Sequence, residues 1–564
     1  MTTCEVLPGR CKAKTYLIFL ILITAFVYSG SLANGFVWDD YAVIVDNGFI
    51  KSWKNLPEVF SKAYLTPLAQ VGQPGVPGSG EVTYRPLVTL TYFFDYAVWK
   101  LNPFGYHLTN LLLHTANACL LFVFLGLLLA DKRLAFLAAL VFAIHPINSE
   151  AVSVVSFREE LLAVFFGLSS MIFFIRKDRA PDSQKRRDHF VSLALFFLAL
   201  FSKEMAVTLP LLLILCDYFF VFNFKGRELL KQSVSRYGAY FAVLFFYLLV
   251  WMTMNGGEKL GASVPFPGGS FYTNGLTMSK IVTIYLGWLC WPVGIHVALA
   301  GLEPVLPVMT ILSAEAIVSC AVPVFCVALA WALRKKAKEI SFSIFWFFIA
   351  LLPVLNIIPL SCIMASRFLY IPMIGFAIAL PCALLRLADL KHGLPLSGVL
   401  TRCAKGFLIM MIVFFMLLTF LRNGTWKDNV SLWSEFVESY PDYPVTHTNL
   451  GEELDLRGQF GPAVREYKTA LSLNPQGADI YGRLGFIFGK KGYYAQAIEY
   501  FKKAITIDPK GLDFYYNLGV MGVKSERWGE ARGAWTKLVE LDPKSKRSDL
   551  VRQLIQALPS ESHL

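Results

Sequence analysis

Apolar residues run in long unbroken blocks over the first three quarters of this 564-residue chain, then fall into a shorter helical rhythm. A helix needs about twenty apolar residues to cross a bilayer. Blocks near that length lie at 15–34, 106–129, 134–152, 159–175, 190–203, 206–223, 237–254, 308–333, 341–360, 367–387 and 406–423, so the pattern predicts about eleven membrane spans. The first block, Tyr16 to Ala33, follows Arg10, Lys12 and Lys14. It is longer than a signal-peptide core and lacks a clear cleavage site, which makes it a retained helix. Residues 279–299 are apolar and aromatic, but a span there would break the charge alternation described below. They are expected to re-enter or lie on the membrane, with Trp288 and Trp291 at its boundary. Two intervals between spans are long, 35–105 and 255–307, the second containing PFPGG.

From Pro444 the chain repeats every 34 residues. Leu450-Gly451, Leu484-Gly485 and Leu518-Gly519 keep that step, as do Ala463, Ala497 and Ala531, then Tyr467, Phe501 and Trp535, and finally Pro475, Pro509 and Pro543. This is the tetratricopeptide pattern: two antiparallel helices per unit, small residues where they approach, and Pro closing the second helix. Units are predicted at 444–477, 478–511 and 512–545, after a half repeat over 424–443 in which Trp433, Phe436 and Pro441 keep the phase. An amphipathic capping helix and tail follow over 546–564. Asn449, Arg483 and Asn517 share one position on the first helices and are expected to face a groove for acceptor or partner protein. The chain is therefore expected to be all-α, a membrane bundle over 1–423 with an α-solenoid behind it.

Composition agrees: 55% of residues are hydrophobic and 16% charged, against about 25% charged in soluble proteins. Mean hydropathy is +0.52. The net charge of +12 does not point to nucleic acid, because the bases cluster between alternate spans. The clusters are Lys132-Arg133, Arg176 to Arg187, Lys225 to Arg236, Arg334 to Lys338, and Arg386 to Lys405. Such clusters mark the cytoplasmic side, which puts the N-terminus inside and, after eleven spans, the repeats outside. The ten cysteines show neither disulfide-framework nor zinc spacing.

Ionisable groups close to a hydrocarbon core are costly, and their default reading is functional. On the outer side they gather as Trp38-Asp39-Asp40-Tyr41, and as Tyr84-Arg85-Pro86 ahead of an aromatic helix expected along the interface. His107, Asn110, His114 and Asn117 are spaced by three and four, so they share one helix face and are expected to line a cavity. Short turns add His145-Pro146 with Glu150, Arg158-Glu159, Lys203-Glu204, and Ser366-Arg367 with Tyr370. The plain alternative is local: caps, turns, and pairs such as Arg158 with Glu159 or Lys203 with Glu204. The sharper reading is that cations converging at one membrane level grip a lipid-linked phosphate, Arg bidentately and Lys as a point charge. A sugar leaving such a phosphate needs that charge stabilised, and the acceptor hydroxyl needs a carboxylate base. One base and one activated leaving group predict direct displacement with inversion, by analogy with inverting glycosidases. No nucleotide-binding Gly-rich loop is present, so a nucleotide-sugar donor is not expected. Two adjacent carboxylates can hold a divalent cation, but no complete metal ligand set is visible.

In order, WDD, YRPL, the NLLLH helix face, HPINSEAV, FREELLA, SKEMAVTLP and SRFLYIP, followed by 34-residue repeats, resemble the transmembrane and tetratricopeptide-repeat proteins. These are protein O-mannosyltransferase-like enzymes of the type-C glycosyltransferase fold, and the resemblance covers nearly the whole chain. It implies a polyprenyl-phosphate-linked sugar donor, frequently mannose, and transfer to Ser or Thr of a protein outside the cytoplasm. It implies Asp39 as catalytic base with Asp40 as its neighbour, and a donor-phosphate role for Arg85, Arg158, Lys203 and Arg367. His114 is grouped with these cations, and Tyr84, Glu150, Glu204 and Tyr370 stand as support. Family members commonly carry an acid before the Arg of the last motif, where this chain has Ser366. The short repeat array and compact loops look bacterial, which implies an inner membrane with periplasmic repeats; a eukaryotic member would sit in the endoplasmic reticulum with its repeats lumenal.

Three readings compete. The same fold could glycosylate a lipid or polysaccharide. A membrane-anchored repeat scaffold needs no such concentration of polar residues at one level. A transporter calls for charges near the midplane and for internal span symmetry.

Overall fold

The computed structural model describes residues 8–61, 84–222, 225–254, 265–295, 305–360, 362–389 and 397–559, and among them no strand occurs. Parts of both long loops (62–83, 255–264, 296–304) and the tail 560–564 lie outside the described residues. The chain divides into two compact units, Met1–Asp428 and Asn429–Leu564.

The first unit is a helix bundle. It comprises α1 (Pro8–Val27), α2 (Pro86–Trp99), α3 (Pro103–Leu128), α4 (Lys132–Ile144), α5 (Ser149–Ser153), α6 (Arg158–Lys177) and α7 (Asp182–Leu200). It continues with α8 (Leu209–Cys216), α9 (Gly226–Met254), α10 (Phe271–Cys290), α11 (Ala314–Leu333), α12 (Lys338–Leu351), α13 (Met373–Asp389) and α14 (Ser397–Arg422). Local sequence sets the helix starts. Asn102 accepts a bond from the Phe104 amide with Pro103 in the first turn, and Asp131 accepts one from Arg133, the arrangement that satisfies otherwise orphaned amides. One apolar core runs through α1, α3, α4, α6, α7, α8, α10, α12 and α13.

The base-rich turns gather at one end. Arg179 donates to the Leu127 carbonyl at 2.6 Å, Arg236 binds Asp178 and Asp217, and Arg386 binds Glu339 and the Lys336 carbonyl. At the other end Asn423 donates to the Val27 carbonyl at 2.9 Å and accepts from Ser153, while Asn34 donates to the Asn423 carbonyl.

Among the described residues the helices do not form eleven uninterrupted stretches of membrane length. Among the described residues five helices are long and apolar enough to cross a membrane: Pro103–Leu128, Glu204–Val221, Leu230–Met254, Ala314–Leu333 and Thr401–Trp426. Lys132–Ile144 with Pro146–Ser153, bent by 49°, makes a sixth if counted as one span. Other expected spans are shortened because the polar motifs interrupt them. α4 stops before His145-Pro146, α12 stops one residue before Pro353, and α13 begins only after the Ser366–Leu369 turn. Pro and buried polar groups end helices for steric and hydrogen-bonding reasons.

The 279–299 region falls within α10. Lys280 pairs with Glu315 at 2.7 Å and Thr283 donates to the Ser319 carbonyl, so α10 runs parallel to the next helix, α11. By Leu306 and Val308 the chain is back beside the first half of α10, through bonds from Lys280 and to Thr277. Trp288 faces the core instead of a boundary, whereas Trp291 is exposed and stacks on Phe414.

The second unit opens with α15 (Asn429–Ser439) and pairs α16 (Pro444–Leu456) with α17 (Phe460–Leu473), α18 (Ala478–Lys490) with α19 (Tyr494–Ile507), and α20 (Leu512–Lys524) with α21 (Trp528–Leu541). Helix α22 (Lys546–Ala557) closes it, with Ser545 capping its first turn and Val551 buried. Within each pair a glycine admits an aromatic ring. A Cβ on Gly519 would stand 2.1 Å from the Trp535 indole, and one on Gly485 2.9 Å from Phe501.

Close approach of this kind also fixes the bundle. Trp346 donates to the Ile371 carbonyl, and a Cβ on Gly375 would lie 2.4 Å from the Ser343 carbonyl oxygen across the α12–α13 crossing. Gly375→Ala is expected to lower stability by about 1–3 kcal/mol, the usual cost of overpacking. Gly287→Ala, where no atom lies within 4 Å, should leave it unchanged. Thermal unfolding of the detergent-purified variants checks this, and equal midpoints would contradict it.

Candidate active site

Five consecutive residues leading into α6, Ser156 to Glu160, together hold several other stretches of chain. The Ser156 amide donates to Asp40 at 2.7 Å. The Phe157 ring meets Trp38 edge-on at 6.3 Å and lies under the Arg367 guanidinium at 4.2 Å. Arg158 is fully buried; it pairs with Asp95 at 2.6 Å and donates to Asn110, Thr91 and the Tyr106 carbonyl, with Tyr92 beneath it. Glu159 meets Arg85 at 3.0 Å and Lys203 at 3.6 Å, and Glu160 binds Lys203 closely. Two acids in a first helical turn suit the positive end of the helix dipole.

From this segment a belt of charges extends both ways. Glu150, fully buried, accepts from the Arg367 guanidinium at 2.8 Å, from the Arg367 amide and from Ser366. The Phe368 ring lies 5.2 Å from the Arg367 guanidinium and 5.8 Å from the Lys203 ammonium. Arg85 sends Nη1 to Glu159, and Nε and Nη2 to one oxygen of Glu204 at 3.2 and 2.9 Å. Asp40, Glu150, Arg158, Lys203, Glu204, Arg367 and Arg85 thus meet at one end of the bundle, and Asp39 precedes the anchored Asp40. The pairs differ in access. The Arg85 and Glu204 side chains are 18% and 30% exposed, while Arg367 with Glu150 and Lys203 with Glu160 are at most 6%.

The acidic pair divides. Asp40 spends one oxygen on the Ser156 amide and the other on the Val37 amide. Burial pushes its carboxyl up to about 6, against the pull of those donors. Asp39 is 5% exposed and follows Trp38, whose φ of 51° is a left-handed conformation seldom taken by an aromatic residue. Strain of this sort concentrates at functional sites.

Several expected contacts are replaced. Arg158 pairs with Asp95 instead of Glu159, and Lys203 with Glu160 and Glu159 instead of Glu204, since neighbours one residue apart do not face each other on a helix. Among the described residues the polar face of α3 meets backbone carbonyls. His107 binds the Gly35 carbonyl, Asn110 those of Val152 and Val154, and Asn117 that of Leu161. His114 has Nε2 on the Ala143 carbonyl and Nδ1 on the Tyr370 hydroxyl at 2.7 Å. A carbonyl only accepts, so Nε2 carries the proton and Nδ1 accepts from Tyr370. Both nitrogens are committed to packing. Tyr84 donates to the Phe60 carbonyl. In the repeats Asn449, Arg483 and Asn517 are half-buried, and Arg483 is tied to Glu452 at 2.7 Å.

Sequence reasoning passed over Asp95 and Glu160, the acids that neutralise Arg158 and Lys203. A carboxylate inside the aromatic run LVTLTYFFDYAVW was the available signal. Among the described residues no three His, Cys, Asp or Glu side chains converge as a metal ligand set.

An all-α bundle with membrane-length apolar helices, a belt of buried ion pairs and a repeat solenoid defines a membrane protein with a tetratricopeptide-repeat unit. The tetratricopeptide repeat family matches residues 478–510, and a second TPR repeat family matches 451–492. Its homologues are TMTC-type protein O-mannosyl-transferases. The protein O-mannosyl-transferase F38B6.6 of Caenorhabditis elegans is 25% identical over 83% of this chain and 64% of its own length. Protein O-mannosyl-transferase TMTC3 of Mus musculus is 24% identical over 83% of this chain and 52% of its own length. The chain therefore spans a little over half the length of these relatives. A crystal structure of the Archaeoglobus fulgidus oligosaccharyltransferase covers 73% of this chain and 56% of its own at 11% identity and a TM-score of 0.39, at which a likeness fixes no fold.

Removing Arg158 leaves Asp95 as a buried, uncompensated charge, a change costing about 3–5 kcal/mol. Arg158→Met is expected to lose most of the monodisperse protein after detergent extraction, with partial recovery in Arg158→Met/Asp95→Asn. Arg85→Met, at a partly exposed pair, should stay monodisperse. Size-exclusion profiles check this; a stable Arg158→Met protein would contradict the clamp.

Proposed function

We propose that this chain is a membrane glycosyltransferase of the type-C fold. It moves mannose or a similar hexose from a polyprenyl-phosphate carrier to Ser or Thr hydroxyls of proteins outside the cytoplasm. The observation that carries the proposal is the belt of ion pairs, least buried at Arg85–Glu204, with Arg85 and the Asp39-Asp40 turn tied to the same Ser156–Glu160 segment. The relatives' names point the same way.

In this reading Asp39 takes the proton of the acceptor hydroxyl, whose oxygen forms a bond to the anomeric carbon. The bond from that carbon to the phosphate oxygen breaks, and polyprenyl phosphate leaves with the electron pair. Arg85 is the grip for the leaving phosphate, since a guanidinium fork suits two phosphate oxygens as it suits a carboxylate. Lys203 and Arg367 add positive field from within their own pairs, and Arg158 is a positioning residue that holds the Ser156–Glu160 turn. The repeats receive the acceptor or a partner protein. The base-rich end faces the cytoplasm, so the belt and repeats lie outside it, in the periplasm of a bacterium or the lumen of the endoplasmic reticulum.

Asp39→Asn should abolish transfer while protein abundance stays normal. Comparing the extracytoplasmic glycoproteome of a deletion strain with that of the variant checks this. The same Ser/Thr-linked hexoses should vanish from both. Unchanged protein glycans in both would refute a protein acceptor, and loss confined to a glycolipid or polysaccharide would move the acceptor there.

A further inference from the structure

The end of the bundle opposite the belt holds a second set of charges that glycosyl transfer does not use. α6 starts at Arg158 and ends at Lys177, about 28 Å away along its axis. Lys177 is 7% exposed, and among the described residues its ammonium has no hydrogen-bond or carboxylate partner. It lies over the Phe174 ring at 4.0 Å and near that of Tyr240 at 6.0 Å. His189 of α7 meets Tyr240 edge-on at 5.9 Å, and its Nδ1 is buried without a partner. The field of Lys177 reaches it. The nearby acids are already engaged. Asp178 and Asp217 hold Arg236, and Asp188 holds Arg187 at 3.2 Å and Arg176 at 3.9 Å. At Lys177 the repulsion of Arg236 and Lys185 is opposed by the attraction of Asp178 and Asp217, both of which are shared with Arg236.

Burying an ammonium costs several kcal/mol, and a cation–π contact returns about 0.5–2 kcal/mol. Asp178 and Asp217 offset part of the remainder but are shared with Arg236, which leaves room for a further anion beside the ammonium. Around buried Lys177 and half-buried His189 the rim is basic: Lys185, Arg186 and Arg187 are exposed and Arg176 is 46% exposed. Beside the rim the surface is apolar, with Phe190 next in sequence at 72% exposed and Leu230 and Val234 of α9 at 72% and 83%. A buried cation, a basic rim and an apolar flank together suit a headgroup whose acyl chains stay in the bilayer.

We propose that Lys177 and His189, with Arg176 and Lys185 at the rim, bind the phosphate of an anionic phospholipid headgroup at this end of the bundle. The site is independent of glycosyl transfer. It is tested on the full-length protein in phosphatidylcholine nanodiscs with and without phosphatidylglycerol, counting retained phosphatidylglycerol by native mass spectrometry. Lys177→Met should lower retention about tenfold, near 1.4 kcal/mol, while Lys177→Arg and Lys537→Gln, an exposed lysine of the repeat unit, keep it. Equal retention in wild type and Lys177→Met overturns the site. Should Lys177→Met fail to fold, His189→Gln is expected to lower retention in the same assay, and no change there overturns it equally. A thermal-stability arm in pure phosphatidylcholine with added inorganic phosphate separates the sources. Stabilisation that depends on Lys177 there would make a soluble phosphate the ligand and overturn the lipid assignment.

Discussion

Charge buried beside hydrocarbon has to be neutralised, and at the belt this chain meets that constraint with one short turn. Ser156 to Glu160 fastens the Asp40 loop, the Arg367 turn, helix α2 through Asp95, Arg85, and Lys203. Breaking up a bundle of apolar helices costs little specificity, because Leu and Phe repack in many ways. Misplacing a guanidinium does not allow that freedom, since its fork needs acceptors at fixed angles. The ion pairs therefore set the register of the helices at this end, and the apolar core fills in behind them.

The same pairing grades the cations by availability. A closed pair such as Arg367–Glu150 or Arg158–Asp95 holds position and contributes only its field. At Arg85–Glu204 the partner carboxylate is partly solvated, so an incoming phosphate meets a weaker competitor there. In the proposed reaction Glu204 would keep the Arg85 guanidinium neutralised until a donor phosphate replaces it. The cost of emptying the site is then modest, and the water-poor surroundings strengthen whatever contact replaces it.

Much of this could be read from residue types alone. The repeats were legible because a 34-residue period leaves Gly, Ala, aromatic and Pro at fixed offsets, and the aromatic rings do fill the space over Gly451, Gly485 and Gly519. The polar end of the bundle was legible because charge stands out in an apolar chain. Partners were not legible. Arg158 sits beside Glu159 in sequence and pairs with Asp95, 63 positions earlier. The number of spans was misjudged for a related reason: hydropathy averages over the very residues, His145-Pro146 and Ser366-Arg367, that end or delay helices. The α3 face was also misleading, since three-and-four spacing shows which side chains share a face and not whether that face meets a cavity or backbone carbonyls.

The central claim is that the open end of this belt performs a single displacement on a phosphate-linked sugar with Asp39 as base. The most direct measurement is the anomeric configuration, by NMR, of a glycopeptide formed by the purified full-length protein from polyprenyl-phosphate mannose. The account predicts a Ser- or Thr-linked mannose of inverted configuration relative to the donor. A retained configuration, or no glycopeptide from a folded protein with donor and acceptor present, would contradict it.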